Sequence, residues 1–325
     1  MSPAPLTVAI CTHDRPEQLA RAIESVLQQR PAPAEVLVVD NAPSDERSRR
    51  LLAERFPTVR YIEEPVPGLD FARNRAVASA RHEVIVFLDD DAVAAPGWAE
   101  AVARVFDTDD RVAVCTGRVE SLRLGTPGER LFEANGGFSR GTVRIELPTD
   151  AARPLHGHSA PLIAWAVSVG SGCSYGVRRS IALALGGFDE ALDLGAALPG
   201  GGDHDFLWRA LQAGYRVVYE PSALAWHEHR PDVEGVHTQV VGHQRAVIAF
   251  LSKHLASPGP ARASLAGYLA WRLAKPGVRL VRRALGRDPL PAPVLLRMWW
   301  NCWAGLTAYR KACWVARARR ERPAW

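Results

Sequence analysis

Three consecutive aspartates, Asp89-Asp90-Asp91, close the apolar run Val84-Ile85-Val86-Phe87-Leu88. Adjacent carboxylates repel one another and stay ionised cheaply only beside a cation. Hard oxygen donors of this kind suit Mg²⁺ or Mn²⁺ bridging to substrate phosphates, and a solvated acidic turn is the plain alternative. A second acidic group follows glycines, in Gly200-Gly201-Gly202-Asp203-His204-Asp205. Its carboxylates either do chemistry or merely cap a helix and answer its dipole. Trp226-His227-Glu228-His229 adds two imidazoles, of which at most one is expected to join a metal, since a lone histidine is by default structural. Arg73 and Asn74 fall near a predicted helix start, where a guanidinium and free backbone N–H groups can face a base or a phosphate.

The elements that must position these groups read as alternating strands and helices. Residues 6–11 form an apolar strand that breaks at Thr12-His13-Asp14-Arg15-Pro16. Asp14 has the type of an N-cap, with Pro16 early in the first turn and Glu17 completing a capping box. Leu19, Ala22, Ile23, Val26 and Leu27 then recur at helical spacing. Residues 35–39 are a second buried strand, again ending in a carboxylate, Asp40. A helix at 45–56, a strand at 59–62 and a helix running to Ala80 lead to the aspartate strand. In open α/β sheets ligands gather outside the carboxyl ends of strands, although the phosphate glycines of a dinucleotide fold are missing. Beyond a strand at 112–117, residues 118–165 read as irregular, and a strand is predicted at 165–170. Gly170-Ser171-Gly172 permits close backbone approach. A helix over 178–185 ends at Gly186-Gly187; a helix opening at Asp203 as N-cap precedes a strand at 215–219.

A chain of 325 residues suits one large domain with an appendage, or two domains. Its net charge of +5 is uneven. From residue 262 onward stand 14 Lys+Arg against 2 Asp+Glu, a net of +12, which leaves −7 for residues 1–261. The basic character belongs to the tail and bears on that segment's partners. Five scattered cysteines without a Cys-x-x-Cys pair suit a reducing cytosol and give no zinc signature. The N-terminal stretch lacks the pattern of a signal peptide, and no apolar run is long enough to span a membrane.

The order of these features resembles the family 2 glycosyltransferases. The matching residues are Ile10-Cys11-Thr12-His13-Asp14-Arg15-Pro16, Val38-Val39-Asp40-Asn41, Gly68-Leu69-Asp70-Phe71-Ala72-Arg73-Asn74, Asp89-Asp90-Asp91, Gly186-Gly187-Phe188-Asp189-Glu190, and Asp203-His204-Asp205 with Arg209. Each motif is modest alone; six in the right order over residues 6–230 are specific. The resemblance implies an α/β GT-A-type, Rossmann-like fold, with a mixed, mostly parallel sheet flanked by helices. It divides the chain into a catalytic domain at 1–234 and a basic helical region at 235–325. The catalytic part splits near 117 into a nucleotide and metal half (6–117) and an acceptor half (118–234). It implies that Thr12, Asp40 and Arg73 hold the nucleotide base, with His13 beside it and Arg15, Asn74 and Asp90 in the same pocket. Asp89 matches the ribose side of the family's Asp-x-Asp motif and Asp91 its metal ligand. Asp203 matches the catalytic base, and His227 the late histidine near the diphosphate and metal. Gly202 departs from the Glu that commonly precedes that base.

Inverting transfer is a direct displacement that needs a base for the acceptor proton and a cation, Mn²⁺ or Mg²⁺, for the departing nucleoside diphosphate. UDP is the expected nucleotide, with GDP or dTDP as alternatives. The acceptor is a glycan, a lipid-linked or a small molecule, in glycan or glycoconjugate biosynthesis, and no nucleic acid partner is expected. The transmembrane helices and Gln-x-x-Arg-Trp motif of processive synthases are missing, which favours single-sugar addition. Basic amphipathic segments at 265–273, 278–285 and 294–320 follow a helical stretch at 238–254, the last carrying Trp299, Trp300, Trp303 and Trp314. They suit an anionic membrane surface, a cap on the catalytic domain, or a second subunit of a homo-oligomer. A cytoplasmic location follows, at the inner face of the membrane if lipid is engaged. The competing readings are a sugar-nucleotide pyrophosphorylase, which would show a glycine-rich loop after the first strand, and a non-catalytic nucleotide-sugar or glycan binder with a decayed site.

Overall fold

The computed structural model describes residues 5–155 and 157–321; residues 1–4, on which the reading against a leader partly rests, lie outside them. Strand and helix alternate through β1 (Leu6–Thr12), α1 (Pro16–Leu27), β2 (Glu35–Asn41), α2 (Arg47–Arg55), β3 (Arg60–Glu64), α3 (Leu69–Ser79) and β4 (Val84–Leu88). Every residue of β2 and β4 is buried, as apolar runs covered on both faces require. β5 (Ala92–Ala94), α4 (Trp98–Thr108) and β6 (Val112–Ser121) follow. After them come α5 (Pro127–Ala134), β7 (Ile145–Leu147), α6 (Leu162–Val169), β8 (Ser174–Arg178), α7 (Arg179–Ala184), α8 (Gly202–Gln212) and β9 (Arg216–His227). Among the described residues nine strands form one sheet in the order β3-β2-β1-β4-β8-β6-β9-β5, with β7 also beside β9. β1 to β4 pair parallel, and β8 runs antiparallel between β4 and β6.

Several local expectations are corrected. Residues 165–170 form the end of helix α6, not a strand; Pro161 and Gly170 bound the apolar run, and short apolar runs do not separate helix from strand by periodicity. The strand comes next, as β8. The segment 118–165 is only partly irregular: β6 continues to Ser121, and α5 opens with a full Thr126–Glu129 capping box. Asp14 does not cap α1. It has φ 55°, and its Oδ1 accepts from the Ser44 amide at 2.9 Å. Asp203 is not an N-cap either; left-handed Gly201 holds that position and Asp203 lies in the first turn of α8.

Alternate residues of each strand face opposite layers. Val8, Ile10, Val38 and Val86 pack with α1 and α4, while Ala9, Leu37, Val39 and Phe87 pack with α3, α6 and α8. The tail folds as α9 (Val233–Ala256), α10 (Arg262–Ala284) and α11 (Ala292–Glu321). α10 runs unbroken through Pro276, joining two segments that the sequence suggested were separate. Ile248, Phe250 and Leu251 of α9 are fully buried in the second layer, each contributing about 1.5–3 kcal/mol. α11 lies along α9 and closes on the far side of α3: Arg319 Nη1 donates to the Pro67 carbonyl at 2.5 Å, and Arg320 Nε donates to Glu190 at 2.6 Å. Among the described residues no helix is long and apolar enough to cross a membrane.

Candidate active site

The strand ends at the carboxyl edge of the sheet bring three groups together. Asp90 accepts from Thr12 Oγ1 at 2.8 Å and from Arg15 Nη1 at 3.1 Å. Arg15 also donates to Asp91 at 3.2 Å, and His227 Nε2, at the end of β9, lies 3.2 Å from the other Asp91 oxygen. Asp89, His227 and Cys173 offer ligand atoms all within 4.8 Å of one another. Burial pushes Asp89 up to about 6, with Asp91 adding to it. Burial and Asp91 likewise raise Asp90. Burial would raise Asp91 too, but the His227 imidazole outweighs it and holds the carboxyl below its ordinary value. A cluster built from carboxylates and an imidazole, in which burial and the neighbouring charge raise two of the three carboxyls, fits a divalent cation.

Asp40, at the end of β2, is fully buried. Tyr61 donates to its Oδ2 at 2.9 Å, whereas Oδ1 has no partner among the described residues. Burial raises this carboxyl to about 6 against the Tyr61 bond. A buried acceptor left without a partner is uncommon in a folded chain. The half-exposed His13 ring lies at the same edge, with Nδ1 2.7 Å from the Asn41 carbonyl.

The third group surrounds Arg73, on α3. Its guanidinium is buried and ion-paired to Asp70 at 2.9 Å and Asp193 at 3.5 Å. Gly172 lets it stand beside Asp203, since a Cβ there would meet Arg73 Nη2 at 2.5 Å and Asp203 Oδ2 at 3.3 Å. Burial opposes ionisation of Asp203, but His204, 2.8 Å away, and Arg73 overcome it and hold the carboxyl well below the usual range. Arg73 also acts electrostatically on Asp89, which ties this group to the aspartate cluster. Asp205 has a different fate. It is fully buried and accepts from Arg209 Nε at 2.7 Å, with Lys253 Nζ at 2.5 Å and His254 Nε2 at 2.8 Å.

Asn74 is not brought into the cleft. Its amide bonds the Phe188 carbonyl at 2.9 Å, Glu190 at 3.0 Å and the Phe188 N–H at 2.7 Å, so it fastens the 186–190 loop to α3. Cys173, Tyr61, Asp70 and Asp193 carry no site role in the sequence reading, although Asp70 stands in one of its motifs; only the glycines around Cys173 marked a close approach there.

The sequence profile described as Glycosyl transferase family 2 matches residues 7–182, more than half of the chain. The chain belongs to this family. As a family 2 member it is 28% identical over 280 residues to the pre-mycofactocin glycosyltransferase of Mycobacterium tuberculosis, covering 86% of this chain and 54% of that protein. The chain thus spans about half the length of that relative. The glucosyl-dolichyl phosphate glucuronosyltransferase of Haloferax volcanii is 27% identical over 114 residues, 34% of this chain and 36% of the relative. Among solved structures, the mannosyltransferase PcManGT of Pyrobaculum calidifontis, in complex with GDP-Man and Mn²⁺, superposes with a TM-score of 0.57 at 21% identity, covering 96% of this chain and 86% of that one. GalNAc-T7 with UDP, GalNAc and Mn²⁺ gives a TM-score of 0.53 at 15% identity over 83% and 56% of the two chains. The family 2 chain has the GT-A fold expected from its motifs.

Proposed function

We propose that this family 2 chain transfers one sugar, with inversion, from a nucleoside-diphosphate sugar to an acceptor hydroxyl, with Asp203 as base. The observation that carries the reading is that one buried guanidinium, Arg73, acts both on Asp89, which groups with His227 and through it with Asp91, and on ionised Asp203. Asp91 and His227, with Asp89 beside them, would hold Mn²⁺ or Mg²⁺, and that cation supplies charge neutralisation for the leaving diphosphate. Asp40, Thr12 and His13 would receive the base, the free Asp40 oxygen accepting from an imino N–H such as that of uracil. UDP is the donor nucleotide on this reading. Asp203 accepts the acceptor's proton; Asp205, enclosed by its three partners, has no surface from which to do so. Calorimetric titration of UDP with and without Mn²⁺ tests the donor site. Binding that needs Mn²⁺ and is lost in Asp91→Ala supports it. No nucleotide binding in the presence of metal overturns it.

The tail favours a lipid-linked acceptor at an anionic membrane surface. On α10 the outward positions Trp271, Val278, Val281 and Leu285 repeat at helical spacing, and on α11 Leu296, Trp300, Trp303 and Trp314 do the same. Trp300 is 77% exposed and Trp314 74%, so these rings do not cap the catalytic layer. Trp299 reaches the Gly277 backbone and links the two stripes. The only acid of α10 through residue 320, Asp288, is buried and paired with Arg279. A second copy would set like charge against like, whereas anionic lipid complements it.

A further inference from the structure

Asp70 lies on α3, outside every role assigned above, and its surroundings are unusual. The carboxylate is fully buried. One oxygen accepts from Arg73 at 2.9 Å, and the other has no hydrogen-bond partner among the described residues. That unpartnered oxygen points at the first residue of α8: a Cβ on Gly202 would sit 1.8 Å from it. The carboxylate therefore occupies the space that a side chain at position 202 would fill, directly ahead of Asp203. Burial and the neighbouring Asp193 charge push the Asp70 carboxyl well above its ordinary value, against the pull of Arg73. Such a site is costly to maintain as packing alone.

We propose that Asp70 is a positioning residue for the reaction, a carboxylate supplied from α3 in place of a side chain at Gly202, which fixes the Arg73 guanidinium against Asp203. Gly202 thereby has a physical reason: the Glu that the sequence pattern leads one to expect would collide with the group that stands in for it. Asp193 completes the cradle, accepting the Gly202 N–H at 2.8 Å while facing Arg73 at 3.5 Å. With Arg73 so held, the positive charge beside Asp203 is fixed in direction as the acceptor proton arrives.

The proposal rests on the transferase reading for its kinetic arm only. Four forms of the full chain are compared: wild type, Asp70→Asn, Gly202→Glu, and the relocated pair Asp70→Gly with Gly202→Glu. Asp70→Asn keeps shape and removes charge; kcat should fall on the order of 100-fold with the donor KM unchanged. Gly202→Glu should be inactive and melt well below wild type, and the relocated pair should regain most of the melting temperature and of kcat. A relocated pair that melts no higher than Gly202→Glu overturns the proposal, and so does wild-type kcat in Asp70→Asn. Should wild type transfer no sugar at all, the transferase reading fails, and the melting temperatures of the relocated pair still decide whether Asp70 fills the place of residue 202.

Discussion

Asp203 and Asp205 stand two residues apart on one helix and face opposite ways. Asp203 turns to Arg73 and Gly172; Asp205 turns inward to Arg209, Lys253 and His254. Burial would raise Asp205, but those partners reverse it and hold the carboxyl far below its unfolded value of about 3.9. A carboxyl depressed in the folded state stabilises the fold above its unfolded pKa and loses that contribution as pH falls through the folded one. Denaturant melts of wild type and Asp205→Asn should thus differ by on the order of 3 kcal/mol near neutrality, and the gap should close below about pH 4. The spacing of the two aspartates was legible in the sequence, but their division of labour was not, because a helix turn of some 200° separates them and the groups that set them apart lie far off in the chain, Arg73 on α3 for Asp203 and Lys253 and His254 on α9 for Asp205. Asp70 was unreadable for a related reason: it meets Gly202 across more than a hundred residues of chain.

Among the elements, β1, β2 and β4 were legible because continuous apolar runs ending in carboxylates have few other solutions in an α/β sheet. α6 was misread because seven apolar residues and one serine carry no helical period; what decides it is Pro161 at one end and the glycines at the other. The capping box Thr126-Pro127-Gly128-Glu129 did announce α5 and was passed over inside a stretch rich in glycine and arginine. The loop between α6 and β8 matters more for the chemistry than its lack of regular structure suggests. Gly172 leaves no room for a Cβ beside Arg73, and its φ is not among the positive ones, so the demand is for space alone. Gly172→Ala should fold, lose about 1–3 kcal/mol to overpacking, and lose transfer activity more than tenfold as the guanidinium is pushed away from Asp203, on the scale of a 1 Å misplacement. Steady-state kinetics with a melting curve on the same sample check both parts.

For the whole molecule, composition located the basic charge in the tail but not how that tail is used. The structure buries one face of α11, through Leu295, Met298, Cys302, Gly305, Ala308 and Ala312, and leaves the tryptophans on the other. Flotation with vesicles of phosphatidylcholine, with and without phosphatidylglycerol, reads the consequence. Binding should require the anionic lipid and fall about fivefold for each charge removed, roughly 30-fold for Arg310→Ser with Lys311→Ser. Equal binding to neutral vesicles, or concentration-dependent dimerisation abolished by Trp300→Ser, would overturn the lipid reading.

The grip of Arg319 and Arg320 on Pro67 and Glu190 has a practical meaning for anyone handling the protein. The last turn of α11 holds the loop that leads into α3, the helix bearing Asp70 and Arg73. A label or crosslink that disturbs the last turn of α11 would therefore pull on the latch of a site some 250 residues earlier in the chain.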